Sequence, residues 1–338
     1  MPRSLRIEKE NGVYHIINRG NYRRDVFINE GAHRSFEECL FETCEKCGWI
    51  LEGFCVMTNH FHLVVRTPKG NLIYGMKWLQ STFANRYHKF RKVHGKLFQG
   101  RYKSLIVEED GYLGALLHYT HLNPVRARMT DVAGLRDYRW SSYWYLNHPA
   151  KRSAFMDCSG ALLAAGSLAD TSYGRRKYAD YLNWLTADKA AQNEMAFDKM
   201  CRGWALGTKA FKKALIAEVI KEDTSEDEEE KNTTKKVPRY DGATLQEANE
   251  LRWELVLEQC MEALEKSPAD ITTALKSADW KILIAAVLKC KTSATNVWIA
   301  ENLNMGVPHA VSRYVGSFKQ NKNDKETSYQ MLIAKVTT

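Results

Sequence analysis

Two histidines interrupt an otherwise apolar segment, "CVMTNHFHLVVRT", from Cys55 to Thr67. In an extended strand, residues two apart share a face, so His60 and His62 project together while Phe61 turns the other way. Two imidazoles on one face suit chelation of a single divalent ion. They equally suit a pair of surface or hydrogen-bonded histidines, and the pair by itself does not separate the two. A second candidate set lies in "LLHYTHLNPVRARM", where Tyr119 and Asn123 are spaced i, i+4 and occupy one side of a helix. Taken alone, Tyr119 reads as an amphipathic helix residue tucked against a sheet, and Asn123 as the terminator before Pro124. His121 competes with Asn123 as a third ligand to the histidine pair, although it leaves the helix in a different direction.

A third feature is charge. The segment Met76 to Ser104 holds Lys77, Arg86, Lys89, Arg91, Lys92, Lys96, Arg101 and Lys103 without one Asp or Glu. Lys77, Arg86, Lys89, Arg91 and Lys92, with Arg101 and Lys103 beyond them, form a run able to track phosphates. Tyr87, Phe90 and Tyr102 lie among them either as faces for unpaired bases or as core residues. Arg23 and Arg24 are further candidates for the same surface. The whole chain carries a formal charge of +9, which points to an anionic partner, most often nucleic acid.

The elements that must position these residues are legible in the pattern. "NGVYHIINRG" alternates as a strand and closes at Gly20-Asn21. "NEGAHRSFEECLFETCEKCG" reads as a helix stopped by Gly48. "WILEGFCVMTNHFHLVVRT" reads as two strands joined around Met57 to Asn59. A basic helix follows to Gly95, then the strand "KSLIVEE", then a helix opening at Asp110 and breaking at Asn123-Pro124. This order predicts an α+β fold, a small antiparallel sheet with helices on one face. "CEKC", Cys44 to Cys47, has half-site spacing for zinc but no second such pair follows, and it reads as a helical face. The aromatics of "YRWSSYWYL" read as packing at the end of this unit.

At 338 residues the chain is long enough for two or three compact units. No apolar run approaches the ~20 residues of a membrane span. The start lacks an apolar signal region and the eight cysteines are scattered, so a reducing cytoplasm is the expected location. Beyond Ala150 the texture is helical. The layout expected is a catalytic unit over 1–150, a helical region over 151–220, an acidic linker over 221–243 and a helical unit over 244–338. In the last, Val297, Ile299, Ala300 and Leu303 form one short helix, Asn304 to Gly306 a turn, and Pro308 opens a second helix. Such a pair is either a helix-turn-helix offering His309, Ser312 and Arg313 to a major groove or an αα-hairpin in a bundle.

Taken in order, the His-x-His strand, the basic helix, "GKLFQGRYKS", "HYTHLNPVRA" and "YRWSSY" resemble the single-tyrosine HUH transposases, and within them the REP-associated tyrosine transposases of the insertion-sequence group. The resemblance spans Gly12 to Tyr145. It implies a ferredoxin-like or RRM-like sheet carrying the histidines centrally with the tyrosine helix beside it. It implies His60, His62 and Asn123 as metal ligands, the last in a position where some relatives carry Gln, and Tyr119 as the nucleophile. The implied activity is Mg²⁺- or Mn²⁺-dependent cleavage and strand transfer on single-stranded or hairpin DNA, through a covalent 5′-phosphotyrosine that frees a 3′-hydroxyl, by a monomer or homodimer. Two other readings stand beside it. One is a non-catalytic DNA-binding protein or repressor using the carboxy-terminal helices. The other is a metal-dependent hydrolase in which His60 and His62 activate water.

Overall fold

In the computed structural model, residues 7–226, 242–320 and 326–336 are described. The chain divides into two compact units, one spanning Arg6–Gly207 and the other taking in Thr208–Thr338. The first therefore runs well past Ala150, where the motif-level resemblance ends.

The first unit begins β1 (Gly12–Arg19), α1 (Glu30–Cys47), β2 (Ile50–Val56), β3 (His60–Thr67), α2 (Leu72–Arg91) and β4 (Lys103–Val107). The strands lie in the order β2-β3-β1-β4, all antiparallel, which is the βαββαβ ferredoxin-like arrangement. Asn29 caps α1, its Oδ1 accepting from Ala32 N at 3.0 Å, and Gly48 ends the helix in the left-handed region at φ 67. Met57 to Asn59 form the turn between β2 and β3, as the pattern predicts.

Pleating sorts the sheet into two faces. Tyr14, Ile16, Phe61, Leu63 and Val65 point one way, and Phe61 meets Phe36 of α1 with ring centroids 4.7 Å apart. Phe36 in turn packs edge-on against Phe83 of α2. Here α1 and α2 cover one face, as expected. One backbone feature of α2 is forced by this packing. A Cβ on Gly75 would stand 2.1 Å from Cζ2 of the fully buried Trp49, so only glycine lets the helix pass the indole.

The opposite face carries Val13, His15, Ile17, His60, His62, Val64 and Leu105, and it too is covered. After β4 come α3 (Gly114–His121), α4 (Asn123–Arg126), α5 (Ser142–Asn147), α6 (Ser159–Ala164), α7 (Ser172–Ala187), α8 (Lys189–Glu194) and β5 (Ala205–Leu206). Val13, Val64, Leu105 and Val107 share one apolar core with Leu116 and Leu117 of α3, Leu162 of α6, Tyr178 and Leu182 of α7, and Phe197 and Met200. β5 extends the sheet parallel to β4. Residues 151–207 are thus part of the same core as the sheet, because long-range apolar contacts, which leave no local signature, join them.

The tyrosine helix starts later than its sequence pattern predicts. Asp110 is extended (ψ 114) and Gly111 has φ 80, so regular α-helix begins only at Gly114. It also ends earlier, at His121. Leu122 keeps near-helical backbone (φ −82, ψ −3), so the chain passes into α4 with Tyr119 and Asn123 still on one side.

The second unit is helical: α9 (Lys209–Glu226), α10 (Gly242–Ala263), α11 (Pro268–Thr273), α12 (Asp279–Lys291), α13 (Asn296–Asn302), α14 (Pro308–Gln320) and α15 (Glu326–Lys335). Its core joins Val256 and Cys260 of α10, Ile284 and Val287 of α12, Ile299 of α13 and Val311 of α14. Buried Lys281 donates from Nζ to the Ile271 and Ala274 carbonyls at 2.8 and 3.1 Å, which tethers the end of α11. Most of the acidic linker expected over 221–243 lies outside the described residues. α13 and α14 flank a turn through Asn304 (φ 48) and Gly306 (φ 87), as their pattern predicts. His309, Ser312 and Arg313 are exposed on α14.

Candidate active site

A cavity of about 410 Å³ opens on the histidine face of the sheet. His60, His62, Tyr119 and Asn123, all four residues proposed from the motifs, line it together with Lys103, Arg101 and Cys201. Three elements supply these four. His60 and His62 project from β3 by strand alternation, with ring centroids 5.1 Å apart. Tyr119 comes from α3, its ring 5.7 Å from that of His62. Asn123 opens α4 and is buried, and its Nδ2 has no hydrogen-bond partner among the described residues. His121 does not reach the cavity. It is buried on the other side of α3, bonded to Tyr178 Oη at 2.8 Å and to Ser142 Oγ at 2.9 Å. A helix turns about 200° over two residues, so Tyr119 and His121 cannot face one site.

That buried cluster fixes the pose of α3. Ser142 Oγ donates to the Phe54 carbonyl, so it accepts from Phe54 N and from His121 Nε2–H. His121 Nδ1 then accepts the Tyr178 hydroxyl proton, and Tyr178 Oη accepts from His118 Nδ1–H at 3.0 Å. The pattern requires a neutral His121, whose Nδ1 must accept, and burial pushes His118 down to about 4 and His121 to about 3.

The cavity histidines are neutral as well. Burial holds His60 at about 4, with Arg19 assisting, and keeps His62 well below the ordinary imidazole value, with His15, His60 and Arg126 adding to the effect. Neutral imidazole is the metal-binding form. His60 Nδ1 lies 2.7 Å from Asn59 Oδ1, and Asn59 Nδ2 donates to the Arg23 carbonyl at 3.3 Å. Donation by that amide fixes its oxygen toward the ring, so His60 carries its proton on Nδ1 and leaves Nε2 bare. No group of three or more His, Cys, Asp or Glu side chains among the described residues forms a metal cluster. The groups on offer are two imidazole nitrogens and the Asn123 amide, which would ligate through Oδ1, while its unpartnered buried Nδ2 is a hydrogen-bond donor suited to a phosphate oxygen. This set fits a divalent ion that keeps most of its positions for water and phosphate oxygens.

Tyr119 is 7% exposed. Its Oη lies 3.1 Å from Cys201 Sγ, and its ring is covered by the Arg126 guanidinium at 4.3 Å and met edge-on by Phe197. Burial and Cys201 push the phenol up to about 12, while Arg126 pulls the other way. The phenol is therefore protonated at neutral pH. Nothing local in the sequence marks Cys201 or Phe197 as neighbours of Tyr119, whereas Arg126 lies seven residues on, at a spacing that keeps it on the same helical side.

The cationic run divides. Lys77, Lys89, Lys92 and Arg101 are exposed. Arg86 is ion-paired, its Nη2 2.9 Å from both carboxylate oxygens of Glu42, and Arg91 lies 5.9 Å over the Tyr87 ring. Lys103 donates from Nζ to the Cys201 carbonyl at 2.8 Å. Arg313, in the second unit, stacks 5.3 Å over Tyr314. Of the aromatics, Phe90 is 79% exposed and offers a free face, whereas Tyr102 is buried and does not. Tyr102 directly precedes β4, where the chain enters the sheet, and its ring is buried there.

A ferredoxin-like sheet with paired imidazoles beside a helix-borne tyrosine is the arrangement implied by the motif resemblance. Residues 8–123 match the family model described as "Transposase IS200 like", so this segment is similar to the IS200-like transposases. A Haemophilus influenzae protein described as a REP-associated tyrosine transposase is 25% identical over 128 residues, covering 35% of this chain and 69% of that protein. Among solved structures, a REP-associated tyrosine transposase bound to a REP hairpin is 12% identical with a TM-score of 0.39, over 45% of this chain and 89% of that one. A Deinococcus radiodurans structure described as a transposase is 21% identical with a TM-score of 0.26, over 37% and 91%. Among the described residues no helix is long and apolar enough to cross a membrane.

Proposed function

We propose that this protein is a metal-dependent, single-strand DNA endonuclease and strand transferase acting at hairpin or repeat DNA through a phosphotyrosine link to Tyr119. The observation that carries this reading is the convergence of His60, His62, Asn123 and Tyr119 on one open cavity bordered by Arg101 and Lys103. A pure binding protein needs none of the first four in one place.

His60, His62 and Asn123 would hold Mg²⁺ or Mn²⁺. When bound, such an ion polarises a non-bridging phosphate oxygen and eases departure of the leaving oxygen. The chain supplies the rest. Arg101 and Lys103 hold the backbone phosphates at the cavity mouth. The Tyr119 oxygen bonds to phosphorus as the bond from phosphorus to the 3′-oxygen breaks. The phenol loses one proton and the departing 3′-oxygen gains one, so the step balances without ATP or water. One ester replaces another, and a later 3′-hydroxyl can reverse the reaction. Arg126 lies over the ring as the cation best placed to stabilise negative charge on it. The Cys201 contact must break for Oη to reach phosphorus.

The test is a labelled hairpin oligonucleotide incubated with full-length protein and Mn²⁺. A covalent protein–DNA adduct that disappears in Tyr119→Phe is the expected result. Cleavage that survives Tyr119→Phe would overturn the assignment in favour of water as nucleophile. A second reading, DNA binding without tyrosine chemistry, draws on the low exposure of Tyr119 and its contact with Cys201; binding with no adduct at any metal concentration would favour it.

A further inference from the structure

The face of the sheet that carries the cavity holds a third imidazole, His15, one strand away from His62. On β1, Ile17 pairs with His62, so His15 is its diagonal neighbour. His15 is fully buried and does not line the cavity. Its Nε2 is 2.9 Å from His62 Nδ1, the rings are stacked with centroids 5.1 Å apart, and its Nδ1 is 2.9 Å from the Met200 carbonyl. A carbonyl oxygen only accepts, so His15 Nδ1 bears the proton. In a neutral ring its Nε2 is then an acceptor, which obliges His62 to donate from Nδ1. The remaining His62 nitrogen, Nε2, is left with its lone pair bare.

We propose that His15 is a positioning residue for the cation site, and that the Met200 carbonyl, through His15, locks His62 in the one tautomer that presents Nε2 as a ligand. The inference rests on the reading of His62 as a metal ligand and goes beyond it, since Met200 lies outside the segment that matches the family model. The physical logic is general. A ligating imidazole gains basicity and a fixed ring plane from an acceptor on its other nitrogen. Asn59 does this for His60 from the adjacent turn. For His62 the acceptor is a second histidine, and the group that sets that histidine's tautomer comes from 185 residues further along the chain. The chain beyond Ala150 therefore takes part in organising the site.

The test has two readouts besides activity. Long-range ¹H–¹⁵N imidazole spectra of the metal-free protein, with His62 assigned by the signals lost in His62→Ala, are expected to show a protonated Nδ1 and an unprotonated Nε2. A His62 ring protonated on Nε2 would overturn the proposal without any variant being needed. Mn²⁺ titration followed by electron paramagnetic resonance is the second. His15→Leu is expected to weaken Mn²⁺ binding about 10–100-fold, and His15→Gln, whose amide oxygen can accept from His62 Nδ1–H, to restore most of it. Equal Mn²⁺ affinity in folded His15→Leu and wild type would also overturn it. If His15→Leu fails to fold, the wild-type spectra and His15→Gln decide. Failure of the wild type to bind Mn²⁺ would instead remove the metal reading, which the tautomer measurement tells apart.

Discussion

The hydroxyl of Tyr119 and the sulfur of Cys201 lie 3.1 Å apart although 82 residues separate them in the chain. The thiol thus caps the phenol at the edge of the cavity, and both groups are held in their neutral forms by burial. Because Cys201 raises the phenol, Cys201→Ala is expected to lower the Tyr119 value and to speed adduct formation near neutral pH. Tyrosine ¹³Cζ shifts followed against pH measure the first effect and single-turnover adduct assays the second. An unchanged rate with a lowered phenol value would mean that ionisation of Tyr119 does not limit the reaction.

The same value sets a pH profile. With the phenol at about 12, the phenolate fraction rises about tenfold per pH unit through the neutral and mildly alkaline range. Adduct formation limited by that ionisation should rise with the same slope and show no plateau below about pH 10. A plateau near neutrality would show that bound metal or DNA brings the phenol down.

Acid should unfold the first unit early. His15, His118 and His121 are buried, with folded values of about 4, 4 and 3, against about 6.5 for exposed imidazole. Between those limits the unfolded chain binds protons that the folded chain refuses, so stability is complete above pH ~6.5 and falls as pH drops toward 4. Each group contributes up to about 1.4 kcal/mol per pH unit over its window. Thermal melts across this range should show a steep loss, and a flat profile would contradict the buried neutral network.

Tyr178→Phe probes that network directly. It leaves His118 Nδ1–H and His121 Nδ1 without the hydroxyl they share, and each unsatisfied buried group costs about 1–3 kcal/mol. Lower stability by chemical denaturation is expected, together with slower adduct formation at unchanged DNA affinity, since α3 carries Tyr119, the proposed nucleophile, and not the exposed cations.

DNA contacts by the basic helix should separate by pairing state. Exposed Lys77, Lys89 and Lys92 are each expected, on substitution by Ala, to weaken hairpin binding and to reduce the slope of log affinity against log salt by about 0.7–0.9. Arg86→Ala should change that slope little, because its guanidinium is engaged by Glu42. Equal slopes for all four would place the DNA elsewhere.

Packing offers a separate check. Gly75→Ala would set a methyl 2.1 Å from the Trp49 ring, an overpacking expected to cost about 1–3 kcal/mol and measurable by denaturant titration.

The strand-helix order of the sheet, the shared face of His60 and His62, and the shared side of Tyr119 and Asn123 were all determined by sequence alone. Each follows from local periodicity, of two in a strand and near 3.6 in a helix, which a few neighbouring residues encode. The late start of α3 was not legible, because Gly111 at φ 80 breaks a pattern whose apolar spacing continues through it. Only the tertiary structure decided that His121 turns into the core, that Arg86 is engaged by Glu42, and that Tyr102 is buried. It alone brought Cys201 to Tyr119 and the Met200 carbonyl to His15. Those contacts join residues far apart in the chain, and what brings them together is the burial of apolar surface across the whole unit, which no short window of residues contains.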